Sequence, residues 1–199
     1  MANLFSPFGL KPVMELSGSP KLGKYYIASN DANVYAIGTP VTLAGDSSSV
    51  DEINGAYQVQ GTQTITLATG GDGNKLLGAI VGFDVVPLNY TSAGSGINPA
   101  NQERIAIVSD DPNQIYEAVC ASALTATEMS RNANLTIGAV NTSTKVDSTA
   151  INATTGTSAT FQLKLLGLAP EPGNTFAANG KYRAKINNHC YGNVVVGVA

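Results

Sequence analysis

The sequence predicts an all-β protein built from small β-barrel or sandwich modules, with one short helix and an extended N-terminal arm. Two observations lead to this prediction. Short apolar stretches recur along the 199 residues, and turns rich in Gly, Asn, Asp and Pro separate them. Several of these stretches alternate apolar and polar side chains, as strands with one buried face do. A jelly-roll arrangement is one architecture compatible with this pattern.

The first 24 residues predict the extended arm. Prolines at positions 7, 12 and 20 keep this segment out of a helix. Its apolar side chains follow no helical or strand period, so they must be buried against another surface. Two interpretations stay open: the arm folds over its own barrel, or it crosses to a neighbouring subunit. The candidate contact residues of the arm are Phe5, Pro7, Phe8, Leu10 and Val13.

Two β modules are predicted after the arm, over residues 25–102 and 103–199, and the pattern leaves open whether they share one core. In the first module, residues 76–86 are apolar on both faces, which is typical of a strand inside a small barrel. In the second, residues 104–108 and 114–120 flank an Asp-Asp-Pro-Asn turn and predict a hairpin. The other predicted strands are 24–29, 39–44, 57–60, 63–68, 161–169, 181–187 and 194–198.

Three further segments complete the chain. Residues 122–134 favour one or two helical turns, with Thr125 or Thr127 as the cap and Glu128 placed for a capping box. The Gly- and Asn-rich connector 87–102 predicts either a projecting loop or a module boundary. The Thr-rich stretch 136–160 predicts short strands and turns, since Thr fits a pleated surface.

The clearest alternation lies in residues 181–187. Lys181, Arg183 and Lys185 face one side of this predicted strand, and the residues between them face the core. The cationic row has two interpretations, a solvated strand face or a contact row for an acidic partner surface.

Composition limits the partners. The net charge is −3 and the 11 Lys and Arg residues are scattered, so no basic stripe for nucleic acid is predicted. No apolar run approaches the ~18–20 residues that a membrane-spanning helix needs. Charged residues make up 13% of the chain, against roughly 25% in an average domain. Such a surface suits permanent packing in an assembly, although many short polar turns would produce the same composition.

The sequence predicts neither an enzyme nor a cofactor site. His189 is the only histidine, and on a strand its neighbour Cys190 would point to the opposite face, so a structural role is predicted for it. One histidine and no Cys-x-x-Cys pair argue against zinc. Cys120 and Cys190 are predicted to be two buried free thiols, and a disulfide between them is the alternative. Asp72 and the other turn aspartates lack EF-hand spacing and are expected to bond their own backbone.

Residues 2–13, ANLFSPFGLKPV, are similar to the Asn-x-Phe-x-Pro-Phe-Gly-x-x-Pro-Val start of a family of bacteriophage virion proteins known as decoration or cement proteins. The matching motifs are structural, and none is catalytic. The absence of Trp and the stretch 136–160 depart from the family pattern. Further segments that resemble the family are 37–45, 77–83, 109–117, 163–168 and 182–189.

The resemblance implies a structural protein that binds the outer surface of a phage head and stabilises contacts between capsomers. Its implied partners are the major capsid protein and itself, as a homotrimer. Its implied location is the capsid surface of the virion, after synthesis in the bacterial cytoplasm. The alternative is another virion component, such as a tail-tube or baseplate protein. A host-binding module with residues 87–102 as its tip is a third hypothesis.

Overall fold

The computed structural model describes residues 3, 6–15, 21–53, 57–84 and 96–192. These residues form strands and one 3₁₀ turn, Ala126–Glu128, and the all-β prediction is confirmed. The strands are β1 Lys11–Glu15, β2 Leu22–Ile27, β3 Tyr35–Ala36, β4 Pro40–Ser47, β5 Glu52–Ile53, β6 Tyr57–Gln58, β7 Gln63–Leu67, β8 Gly78–Phe83, β9 Ile97–Asn98, β10 Arg104–Ser109, β11 Gln114–Cys120, β12 Asn132–Thr136, β13 Val140–Asn141, β14 Val146–Asp147, β15 Ala150–Gly156, β16 Leu163–Leu168 and β17 Gly180–Ile186.

The first barrel closes through five strands in the order β10-β2-β7-β4-β8. Four of its five strand pairs are antiparallel, and β2 with β7 is the parallel one, aligned at a single residue pair, Tyr26 with Thr64. Strand β8 lies within the stretch 76–86 that was predicted to be buried in a barrel, which confirms that prediction. Its apolar character on both faces follows from packing inward in the barrel and against neighbouring segments outside it.

The second sheet also closes on itself. It follows the order β11-β15-β12-β16-β17, and the additional pairing of β11 with β17 completes the ring. Strand β1, from the N-terminal arm, pairs antiparallel with the first half of β11. The parallel pair is β11 with β15, again aligned at one residue pair, Cys120 with Ile151. Each ring has five strands, so neither is an eight-stranded jelly roll.

The two barrels have the same topology. Number the strands of each barrel a to e along the chain, as β2, β4, β7, β8, β10 and as β11, β12, β15, β16, β17. In both barrels a pairs with e, a pairs in parallel with c, b pairs with c and d, and d pairs with e. The connection from b to c carries a small two-stranded hairpin in each, β5–β6 and β13–β14.

The residue registers agree as well. The d–e ladder skips one residue in each barrel, Val81 in the first and Leu166 in the second, and a glycine follows both, Gly82 and Gly167. In the b–d ladder, Val41–Gly78 of the first barrel corresponds to Ala133–Leu163 of the second. In the b–c ladder, Leu43–Ile65 corresponds to Leu135–Ile151. In the d–e ladder, Ile107–Gly82 corresponds to Arg183–Gly167. The described residues therefore contain one five-stranded module twice in tandem, although the b–c ladder is irregular between Leu43 and Ser47 in the first barrel and between Ala133 and Leu135 in the second.

The packing of the two modules is continuous at their boundary. The interior of the first barrel is one apolar cluster that includes Tyr25, Val41 and Ile80. The cluster of the second barrel extends beyond its own strands to Leu10 of the arm and Leu76 of the first module. The question of one core or two is thus answered by two closed barrels that share an apolar boundary.

A fully buried amide joins the two barrels. The Gln162 side chain precedes β16, and its Oε1 accepts the backbone N–H of Leu135 at 3.0 Å and of Gly71 at 3.1 Å. Its Nε2 donates to the carbonyl of Thr69 at 2.8 Å. Leu135 belongs to the second barrel, and the other two residues belong to the β7–β8 connection of the first. One side chain therefore satisfies three backbone groups on both sides of the boundary.

A second buried contact acts in parallel. The Thr39 hydroxyl, just before β4, donates to Asp147 Oδ2 at 2.7 Å, and both residues are fully buried. The other carboxylate oxygen of Asp147 accepts the Thr149 N–H at 2.7 Å. Backbone bonds also cross the boundary, from Leu76 N–H to Asn188 and from Cys190 N–H to Leu76.

Two sequence predictions need correction. Strands β10 and β11 do not form a hairpin, because β2 and β8 already occupy both edges of β10. The Asp-Asp-Pro-Asn segment does form a turn, with Asp111 Oδ1 accepting the Asn113 N–H at 2.7 Å, but this turn carries the chain from one barrel to the other. The first module consequently ends at Ser109, one strand later than the predicted boundary at residue 102, and it begins with β2 inside the segment predicted as arm.

Other predictions hold. The helical segment is a single 3₁₀ turn, and Glu128 accepts the backbone N–H and the hydroxyl of Thr125 at 2.7 and 2.9 Å, which confirms the capping box. Cys120 and Cys190 are free thiols as predicted, but only Cys120 is buried, since Cys190 is half-buried. The strand predicted at residues 194–198 lies outside the described residues.

We predict that Gln162→Leu, which keeps the side-chain size, lowers the free energy of unfolding by about 3 kcal/mol or more, because it leaves buried backbone groups unpaired. Chemical denaturation followed by circular dichroism measures this loss. Gln60→Leu, at an exposed turn, is the matched control and should change stability by no more than about 0.5 kcal/mol. Equal denaturation midpoints for the two variants would contradict the role given to Gln162.

Candidate functional site

The N-terminal arm is attached to its own chain along residues 6–15. Leu10 is fully buried in the apolar cluster of the second barrel, and its N–H donates to the Gly38 carbonyl at 2.9 Å. Strand β1 then adds to β11, with Lys11 opposite Glu117. Further toward the terminus, the Asn3 side chain donates to the Thr175 carbonyl at 3.2 Å. In the single copy of the structure the described part of the arm packs on its own chain, and its exchange with a neighbouring subunit stays a prediction.

Two glycines allow the arm to cross the first module. Gly9 has φ +71° and Gly38 has φ +92°, both in the left-handed region that favours glycine. A Cβ on Gly9 would lie 2.2 Å from the Gly38 carbonyl oxygen, and one on Gly38 would lie 2.2 Å from the Phe8 carbonyl oxygen. The two backbones are thus in direct contact, and any side chain at this crossing would separate them.

The predicted contact residues of the arm have different environments. Phe5 lies outside the described residues. Pro7, Phe8 and Val13 are half-buried and keep part of their surface accessible. Leu10, also predicted as a contact residue, is fully buried in its own chain while the arm is docked there, and its contact with a partner stays a prediction.

The cationic row on β17 has the predicted alternation, with buried residues between half-buried charged ones. Its charges have partners within the chain. Lys181 Nζ lies 2.6 Å from Glu171 Oε2, and Arg183 Nε lies 3.3 Å from Glu117 Oε1. Lys185 Nζ donates to Asn113 Oδ1 at 3.4 Å. The row is therefore less cationic than the sequence alone suggests, because carboxylates balance two of its three charges.

An apolar groove lies where the arm, the first barrel and the β13–β14 hairpin meet. We call it the arm groove. Its volume is about 340 Å³. Ile37 is 52% exposed there, a large value for an apolar side chain. The groove is lined by Phe8, Lys11, Ile37, Gly38, Lys145 and Val146.

His189 is held in a structural environment near the boundary of the two barrels. Its side chain is buried and Nδ1 accepts the Tyr191 N–H at 2.9 Å. Burial lowers the pKa of the imidazole below its usual 6.5, although the carboxylates of Asp110 and Asp111 oppose this shift. The Tyr25 hydroxyl donates to Asp110 at 2.5 Å, and burial raises the pKa of this phenol, so it remains a donor. Among the hydrogen bonds of the described residues, none joins the His189 side chain to a Ser, Thr or Cys side chain.

The part of the chain that the structure describes lacks the features of a metal site and of a membrane-spanning helix. These residues contain no group of three or more His, Cys, Asp or Glu side chains able to hold a metal ion. Asp72 is exposed in its turn. No helix among them is long and apolar enough to cross a bilayer.

Comparison with known proteins gives no relative. No family model matches the chain, and neither curated proteins nor solved structures yield a match.

Sequence reasoning missed the arm groove. Its apolar members, Phe8, Ile37 and Val146, come from three separate parts of the chain, and only the fold brings them together. The available signal was Ile37 itself, a large apolar residue next to a glycine turn and outside any predicted strand.

We predict that Gly38→Ala detaches the arm. The new Cβ collides with the Phe8 carbonyl, so the amide of Leu10, which donates to Gly38, should lose hydrogen-exchange protection at least about tenfold. Gly61→Ala is the control, because Gly61 also has a positive φ of +79° but has open space around it. Unchanged protection of Leu10 in the Gly38 variant would contradict the backbone crossing.

We predict that His189 makes the protein less stable in acid. Its folded-state pKa is lowered, so the unfolded chain takes up the proton first as the pH falls below 6.5. The contribution of His189 to the free energy of unfolding should therefore be greatest above that pH and decrease below it. It should level off once the pH has fallen below the folded-state pKa. Thermal unfolding of wild type and His189→Asn between about pH 7 and about pH 5 measures this. The variant should show the smaller decrease in Tm, and parallel curves would rule out the effect.

Proposed function

We propose that this protein is a structural component of a bacteriophage particle, which binds the outer surface of the head and joins neighbouring capsomers. The observation that carries this proposal is the tandem pair of barrels held together by buried polar contacts. A clamp between two capsomers needs two ends at a fixed separation. The Gln162 and Thr39–Asp147 contacts supply the rigid connection between such ends.

The surface supports the same proposal. Charged residues are scarce, and exposed large apolar side chains occur on both modules, including Ile37 and Val50 on the first and Leu166 and Phe176 on the second. Apolar area buried against a capsid shell would contribute about 25 cal/mol per Å². With about 800 Å² buried on each partner, as in an interface of ordinary size, such contacts raise the cost of separating capsomers.

The resemblance of residues 2–13 to phage decoration proteins gives the proposal its specific target, the major capsid protein. The described part of the matching segment contains the docked residues of the arm and the start of β1. The arm in this proposal fixes the shape of the surface around the arm groove, and its half-buried residues Pro7 and Phe8 contribute to that surface.

We predict that the purified protein co-sediments with mature heads that lack decoration, and that bound heads release their DNA at a higher temperature. Pelleting followed by gel electrophoresis measures binding, and a DNA-binding dye added during heating measures release. Heads already saturated with the protein serve as the control, since they should take up no more.

Absence of co-sedimentation together with an unchanged release temperature would overturn the proposal. Negative-stain images of the protein alone test the tail-tube and baseplate alternative. Stacked rings or tubes would favour that alternative, and isolated particles or small closed rings would favour head binding.

A further inference from the structure

The arm groove combines an apolar floor with positive charge. Phe8, Ile37 and Val146 supply the apolar surface, and Lys11 and Lys145 are exposed at its rim. Neither lysine forms an ion pair with the residues that the structure describes. Asp147, the carboxylate next to Val146 in the chain, is buried and engaged with Thr39 and Thr149. The groove therefore suits a ligand that presents an apolar side chain beside carboxylates.

The same chain presents such a ligand on its first module. Val50 is 38% exposed, and the next two residues, Asp51 and Glu52, are also exposed. We call these three residues the acidic corner. Among the hydrogen bonds of the described residues, the carboxylate of Asp51 accepts none, and that of Glu52 accepts one from Gln58 at 3.2 Å.

The acidic corner has a defined shape. The Val50 N–H donates to the hydroxyl of the buried Ser48 at 3.2 Å, and the Asp51 carbonyl accepts the Val59 N–H at 3.0 Å. Ile53, directly after the corner, is fully buried in a small cluster on the outer side of the first barrel. A preformed protrusion of this kind loses little conformational entropy when it binds.

The corner and the groove lie at opposite ends of β4. Pro40 begins this strand two residues after Gly38 of the groove, and Ser47 ends it three residues before Val50. Eight residues of extended strand span roughly 25 Å. Because the corner and the groove are different surfaces, an interface that joins one corner to one groove is a head-to-tail contact, which closes into a ring when the rotation allows.

We propose that the acidic corner of one copy docks in the arm groove of a second copy. Val50 enters the apolar floor formed by Phe8, Ile37 and Val146. Asp51 and Glu52 approach Lys145 and Lys11 at the rim. The expected homotrimer is then a ring of three identical head-to-tail contacts. This proposal goes beyond head binding and does not depend on it.

Sedimentation velocity over a range of protein concentrations tests the contact. Wild type should associate, and Lys145→Glu or Asp51→Lys alone should raise the dissociation constant at least about tenfold, since each places like charges together. The double variant Lys145→Glu with Asp51→Lys should recover association, because it restores opposite charges with their order reversed. Ile37→Ser should weaken association without changing any charge.

Lys75→Glu, at an exposed position outside the groove, is the matched control and should associate as wild type does. Circular dichroism establishes that each variant is folded. A wild type that stays monomeric throughout would overturn the proposal, and so would single variants that associate normally or a double variant that shows no recovery. Head co-sedimentation is measured separately, so failure of this contact can be told apart from failure of head binding.

Discussion

The architecture depends on the buried amide of Gln162. Each barrel satisfies most of its backbone through its own ladders, but the connection between β7 and β8 leaves polar groups facing the second module. An apolar residue at position 162 would bury those groups without partners, at a cost of about 1–3 kcal/mol for each. The Gln162 side chain forms hydrogen bonds with these groups and also with the Leu135 N–H. The arm groove, which combines both modules, depends on this attachment together with the Thr39–Asp147 contact beside it.

The two modules have the same strand topology although their surfaces differ. Strand order, the single parallel pair and the skipped residue of the d–e ladder are the same in both barrels. Their outer faces differ. On the first barrel the β5–β6 segment packs through Ile53 and Val59 against Tyr26 and Ile105, whereas on the second the β13–β14 hairpin reaches across to Thr39. The repeated module thus provides the strands of each barrel. The loops between these strands provide the contacts between the barrels and part of the arm groove.

Local patterns in the sequence predicted what depends on local chemistry. The barrel strand at 76–86, the alternation along β17 and the capping box at Thr125 all follow from side-chain period or short-range bonding. The pairing of strands that are far apart in the sequence could not be predicted from local patterns. The Asp110–Asn113 turn was recognised, yet its flanking strands pair elsewhere because both edges of β10 are occupied. The repeat is hard to predict from the sequence because only isolated corresponding positions, such as Leu43 and Leu135, keep the same amino acid, whereas others, such as Val41 and Ala133, do not.

The pairing of β1 with β11 has a consequence for synthesis. All strands of the first barrel precede the turn at Asp110, so that barrel can close while the rest of the chain is still on the ribosome. The arm is translated before the first barrel, but its partner strand begins only at Gln114, and the cluster that buries Leu10 is complete only with β17. The arm therefore precedes both barrels in the chain but is among the last segments to dock. Until then its apolar residues are exposed, and during this interval an arm could be captured by another nascent copy.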